Sequence, residues 1–143
     1  MDINCDIGES FEAFISGKDE EIIDYVTSIN IACGYHAGDH TIMHQMIRSA
    51  LRKNVHIGAH PGYPDREGFG RRNMDLSPAE IYDLMVYQIG ALQAFVQIEK
   101  GILHHVKPHG ALYNQCANNR EKALAVIDAV YDFNPQLILY CLS

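Results

Sequence analysis

No run of 18 or more apolar residues occurs in the 143-residue sequence, so no segment is long enough to cross a bilayer as a helix. Residues Met1 to Ser10 contain acids and no basic-plus-apolar leader, which argues against export. Positive charge is scarce: 11 Lys and Arg stand against 18 Asp and Glu, for a formal net charge of −7. That balance argues against an electrostatic grip on nucleic acid or an anionic membrane. The four cysteines, Cys5, Cys33, Cys116 and Cys141, form no C-x-x-C pair, so free thiols are expected rather than a zinc cluster or a redox dithiol. Low-complexity linkers and internal repeats are absent. With 48% hydrophobic residues, the expectation is a single domain over residues 1–143 with a sizeable core, soluble and cytoplasmic.

Short apolar stretches alternate with longer helical patterns. Candidate strands are Asp2 to Ile7, Ser28 to Cys33, Val55 to His60, Ile102 to Lys107 and Leu137 to Leu142. Between them, Ile42, Met43, Met46, Ile47, Ala50 and Leu51 form a helical stripe with Asp39 as its N-cap. Ser77-Pro78-Ala79-Glu80 reads as a capping box with proline at the first helical position, and Lys100-Gly101 suits the stop. A third helix is expected from Asn118 or Asn119, turning Leu124, Ile127 and Val130 inward and ending before Pro135.

Strand and helix in alternation predict parallel strands with right-handed crossovers, in either a doubly wound sheet or a (β/α) barrel. The first three strands alternate: Ile3, Cys5 and Ile7 with Asn4 and Asp6; Ile29, Ile31 and Cys33 with Asn30 and Ala32; Val55, Ile57 and Ala59 with His56, Gly58 and His60. Parallel strands buried between two helix layers are usually apolar on both faces, so a polar second face favours a barrel with chemistry at its centre. Five strands fall short of a closed eight-stranded barrel of about 250 residues. The expectation is an α/β, truncated partial barrel of five strands, with open edges that invite homo-oligomers.

In such a barrel the site lies at the C-terminal ends of the strands. Those ends carry Asp6, Gly8 and Glu9; Gly34 to Asp39 with His36; His60 to Asp65, leading to Arg71 and Arg72; and Lys107 and His109, followed by Tyr113 and Asn114. Carboxylate, imidazole, ammonium and guanidinium groups on one rim point to a site. Asp6, His60 and His109 are suited to hold a divalent metal with an open position, or to form a metal-free hydrogen-bonded pocket. Glu9 is either the spare carboxylate for a general base or a residue at a helix N-terminus. Lys107 either meets a substrate oxygen or pairs with Asp6 or Glu9. His36, His40 and His44 recur every four residues, but no Glu follows His40, so this is not H-E-x-x-H. His40 and His44 fall on a helix flank, whereas His36 lies in a strand-end loop.

The same stretches carry a family resemblance. Asn4-Cys5-Asp6-Ile7-Gly8-Glu9, Asn30-Ile31-Ala32-Cys33-Gly34-Tyr35-His36-Ala37-Gly38-Asp39 and Gly58-Ala59-His60-Pro61-Gly62-Tyr63-Pro64-Asp65 resemble motifs of the LamB/YcsF family. So do Gly68-Phe69-Gly70-Arg71-Arg72-Asn73-Met74, Tyr87-Gln88-Ile89-Gly90-Ala91-Leu92 and His105-Val106-Lys107-Pro108-His109-Gly110-Ala111-Leu112-Tyr113-Asn114. The resemblance implies a seven-stranded barrel of the glycoside hydrolase/deacetylase type. It also implies a 5-oxoprolinase A subunit that works with B and C subunits to open 5-oxoproline to L-glutamate, with ATP as co-substrate. No G-x-x-x-x-G-K-[ST] element marks a P-loop, so ATP rests on the resemblance alone. The expected catalytic set is Asp6, Glu9, His60, Lys107 and His109. The expected substrate-binding set is Asn4, Asn30, His36, Arg71, Arg72, Tyr113 and Asn114. A metal-dependent deacetylase of an amidosugar, or a non-catalytic remnant, are the rival readings.

Overall fold

The computed structural model describes residues 1–9 and 18–142. Its elements run β1 (Asn4–Ile7), α1 (Lys18–Ile22), a 3-10 turn (Ile23–Tyr25), β2 (Ser28–Ala32), α2 (His40–Arg52), β3 (His56–His60), α3 (Pro78–Ile98), β4 (Leu103–Val106), α4 (Gly110–Asn118), α5 (Arg120–Phe133) and β5 (Ile138–Leu139). All pairings are parallel, and the spatial order β1-β2-β3-β4-β5 follows the sequence order. A doubly wound sheet reverses its order at a switch point, whereas a barrel adds each strand beside the last, so this is a partial barrel. The described strands are shorter than the sequence predicts: β1 begins at Asn4 and β5 is reduced to Ile138–Leu139.

The sheet is strongly curled. Flat, its edge strands would lie about 19 Å apart, at four spacings of about 4.8 Å. Instead the Tyr140 hydroxyl, just past β5, donates to Asp2 Oδ2, just before β1, at 2.8 Å. The convex face carries the core: Ile7, Ile29, Ile31, Ile57 and Val106 are buried, with α2 and α3 packed on the sheet and α5 packed on α3. Truncating Ile31 to alanine is expected to remove about 2–5 kcal/mol of stability, measured by urea titration.

Local signals set the helix ends. Asp39 caps α2 by accepting the Thr41 and Ile42 N–H groups, and Ser77 and Glu80 form the capping box of α3. The third predicted helix is α5, with α4 an additional helix before it, and its inward face needs correction. Leu124 and Ile127 are 44% and 47% exposed, while Lys122, Ala125, Val126, Ala129 and Val130 face the core. Small residues at positions 125 and 129 let α5 lie close to α3, its principal helical neighbour. No described helix is long and apolar enough to cross a membrane. The four cysteines are free; Cys33 is buried, and burial pushes its thiol up to about 12, while Cys141 is exposed.

Candidate active site

The concave face is polar because strand alternation puts every second residue there. Pairing aligns Asp6 with Asn30, Asn30 with Gly58, and Gly58 with His105, one row across four strands. His105 joins this row through a register shift. Ile57 pairs with Leu103 but Gly58 pairs with His105, which leaves His104 as the extra residue of a bulge. His105 Nε2–H then donates to Asn30 Oδ1 at 2.7 Å, passing over β3. Only glycine permits this crossing, since a Cβ at Gly58 would overlap the imidazole. The Asn30 amide donates onward to Asp6 Oδ1 at 2.6 Å and to Asn4 Oδ1.

Above this row, Lys107 Nζ donates to both Asp6 oxygens, at 2.8 and 3.0 Å. Burial opposes ionisation of Asp6, yet nearby His60, the Lys107 ammonium and the Asn30 amide hold its carboxyl well below the usual range. Next to this pair, three imidazoles surround one carboxylate. Glu9 Oε1 lies 3.0 Å from His36 Nε2, 3.6 Å from His60 Nε2 and 3.4 Å from His109 Nδ1. His36 and His109 stack at 3.7 Å, and His109 Nδ1 is 3.0 Å from His60 Nε2. Burial opposes ionisation of Glu9, but the three rings hold it below its ordinary value. Burial lowers His36; burial and the adjacent His36 push His109 down to about 4.

Backbone carbonyls orient the rings. His60 Nδ1–H donates to the Lys107 carbonyl at 2.6 Å, and His109 Nε2–H to the Phe69 carbonyl at 2.7 Å. Phe69 reaches this position with φ at 54°, a left-handed conformation that costs a bulky residue energy. Gly70 follows with φ at 64°, and a Cβ there would sit 2.7 Å from His36 Cβ. A cleft of about 350 Å³ opens above Asp6, His60, Lys107 and His109, with Arg71, Tyr113 and Asn114 along its wall.

The expected substrate set therefore divides. Arg71, Tyr113 and Asn114 line the cleft. His36 belongs to the imidazole group. Asn4 and Asn30 lie beneath Asp6 instead, Asn30 fully buried, where they position it. Arg72 turns away: its Nε donates to Asp65 Oδ1 at 2.8 Å and shapes its own loop. Of the three residues expected to hold a metal, Asp6 Oδ2 lies 3.5 Å from His60 Nε2, and His60 Nε2 lies 3.0 Å from His109 Nδ1. Glu9, His36, His60 and His109 present ligand atoms within 4.8 Å of one another, while Asp6 is taken up by Lys107 and Asn30. His105 and Phe69 stand outside the expected site residues, although His105 shares the polar face of its strand with Lys107 and Phe69 lies in a Gly-Phe-Gly run.

His105 gives the site a pH dependence. Burial, with neighbouring His104, lowers it from 6.5 to about 4, so the folded chain holds the ring neutral. Between those values the unfolded chain takes up a proton that the folded chain refuses, and stability falls as pH falls. The expected loss is on the order of 3 kcal/mol, seen as a drop in Tm between about pH 7 and pH 4 and reduced in His105→Asn.

The LamB/YcsF family matches residues 1–143. The chain belongs to the LamB/YcsF family. It is 59% identical to a protein of Clostridium kluyveri named as the A subunit of 5-oxoprolinase, and 57% identical to one of that name from Bacillus cereus strain B4264. Each match takes in 100% of this chain and 56% of the relative, so the chain spans little more than half their length. The crystal structure of a lactam utilization protein from Thermus thermophilus superposes with a TM-score of 0.95 at 51% identity, covering 99% of this chain and 57% of that one. At that similarity the partial barrel is the fold shared by this part of the family.

Proposed function

We propose that this LamB/YcsF chain supplies the lactam-facing site of an ATP-dependent 5-oxoprolinase, acting with B and C subunits. The net reaction is 5-oxoproline, ATP and two waters to L-glutamate, ADP and phosphate. The observation that carries the reading is the convergence on one cleft of Asp6, His60, Lys107 and His109, from the ends of β1, β3 and β4, with Glu9 beside the two imidazoles. The names of the relatives support the substrate class; the resemblance supports ATP and the partner subunits.

A lactam is stabilised by resonance, so opening it needs an activated carbonyl carbon, a deprotonated water and a proton for the leaving nitrogen. Phosphorylation of the lactam oxygen by ATP supplies the activation. Lys107 and Arg71 offer cations to the substrate carboxylate and the phosphorylated oxygen. His60 and His109 border the cleft beside the Glu9 carboxylate, and Tyr113 and Asn114 offer hydrogen bonds from α4.

The test is glutamate release from 5-oxoproline by the chain assembled with its partner subunits, with and without ATP. Release that requires ATP, with ADP formed in step, is expected. ATP-independent hydrolysis of an N-acetylated sugar, with 5-oxoproline untouched, would move the chain to the deacetylase reading. No release under any condition would favour a non-catalytic role.

A further inference from the structure

We infer that Glu9, His36, His60 and His109 form a binding site for one divalent transition-metal ion of the zinc class. The reason lies in where the protons are. Carbonyl oxygens accept only, so His60 Nδ1 and His109 Nε2 must each carry a hydrogen toward Lys107 and Phe69. In the neutral rings that leaves a bare lone pair on His60 Nε2 and another on His109 Nδ1. These two atoms face each other at 3.0 Å, and each faces Glu9 Oε1, at 3.6 and 3.4 Å. Lone pairs aimed at lone pairs and at a carboxylate repel unless positive charge stands among them. One extra proton can join two of these atoms. A divalent cation satisfies them all and also takes the His36 Nε2 lone pair.

The spacing fits the ion. Zinc bound to nitrogen or oxygen at about 2.0–2.1 Å in a tetrahedron requires ligand atoms about 3.3–3.4 Å apart. Four of the six separations among Glu9, His36, His60 and His109 are 3.0, 3.0, 3.4 and 3.6 Å, and the two from His36 to the other rings lie within 4.8 Å. Imidazole nitrogens with one carboxylate suit zinc, nickel or cobalt rather than magnesium or calcium. The rings also have the outer support typical of metal ligands, since each of His60 and His109 gives its second N–H to a carbonyl. Gly62 and Gly70 leave room for the stack: a Cβ at Gly62 would lie 2.7 Å from His36 Nδ1. When bound, the ion would have its tetrahedron filled by the four protein ligands, a closed site that would fix Glu9 and the three rings in place.

Metal content is independent of the substrate, so this inference stands or falls apart from the lactam reading. The test is elemental analysis of untagged chain purified without chelator. It is followed by removal of metal and titration with Co²⁺, read by visible absorption. About one zinc-class ion per chain, and a tetrahedral Co²⁺ spectrum saturating at one equivalent, are expected. Glu9→Gln and His36→Gln should each weaken Co²⁺ binding by at least about tenfold, while Asp6→Asn keeps the stoichiometry; circular dichroism checks that each variant is folded. Folded wild-type chain that carries no metal and gives no Co²⁺ spectrum would overturn the inference. So would metal lost in Asp6→Asn but retained in Glu9→Gln and His36→Gln.

Discussion

Asp6→Asn is expected to lower the turnover of the assembled enzyme at least about a hundredfold while the chain stays folded, the scale seen when a central acid, base or charge partner is lost. Asp6 gathers Lys107, Asn30 and the neighbourhood of His60 at the floor of the cleft. Its carboxylate is the only countercharge within hydrogen-bond reach of the Lys107 ammonium among the described residues. An amide keeps the shape but removes the charge, so Lys107 is no longer fixed over the cleft. Steady-state kinetics of glutamate release check this. Wild-type turnover in folded Asp6→Asn would take the carboxylate out of the mechanism. Lys107→Met should produce a loss of similar size through the other half of the pair.

Gly58→Ala carries the second large effect, on stability. The new methyl would overlap the His105 ring, which lies over Gly58 and stacks on Tyr140 at 4.4 Å. His105 must then abandon Asn30, and a buried amide oxygen loses the shorter of its two hydrogen bonds, keeping Asn4 Nδ2 at 3.3 Å. Asn30 in turn is what orients Asp6. Overpacking together with a broken buried network predicts a loss of about 3 kcal/mol or more, and with it the order of the site. Denaturant unfolding measures the first. A Gly58→Ala chain as stable as the parent would show that the row Asp6-Asn30-Gly58-His105 is not a rigid floor.

Much of this architecture was legible in residue order. Alternation in the first three strands gave a polar and an apolar face, and the caps at Asp39 and Ser77 are local chemistry that tertiary structure leaves alone. Other features depend on contacts no periodicity can show. The helix α5 packs through Ala125 and Ala129, so the larger Leu124 and Ile127 were misleading guides to its inner face. The start of α4 has no side-chain cap; the Gly70 carbonyl accepts its Ala111 N–H instead, a partner about 40 residues away in the chain. His105 entered the site through a bulge, which shifts the alternation without leaving a mark in composition. Pairing of Lys107 with Asp6 was one of two open alternatives, and the structure realises it. The grouping of Glu9 with His36 depends on how two strand-end loops meet, which no residue spacing shows.

If the rim of this partial barrel holds the lactam, imidazole NMR signals will report it. In the enzyme assembled with its partner subunits, 5-oxoproline is titrated while the ring nitrogens of the eight histidines are followed. His60 and His109, at the cleft, are expected to respond in a saturable way, and His36 to follow through its stack on His109. His40 on the outer surface of α2 and exposed His56 at the opposite end of β3 should stay unchanged. Saturable shifts confined to His40 or His56, or no shift in any ring during turnover, would contradict binding at this rim.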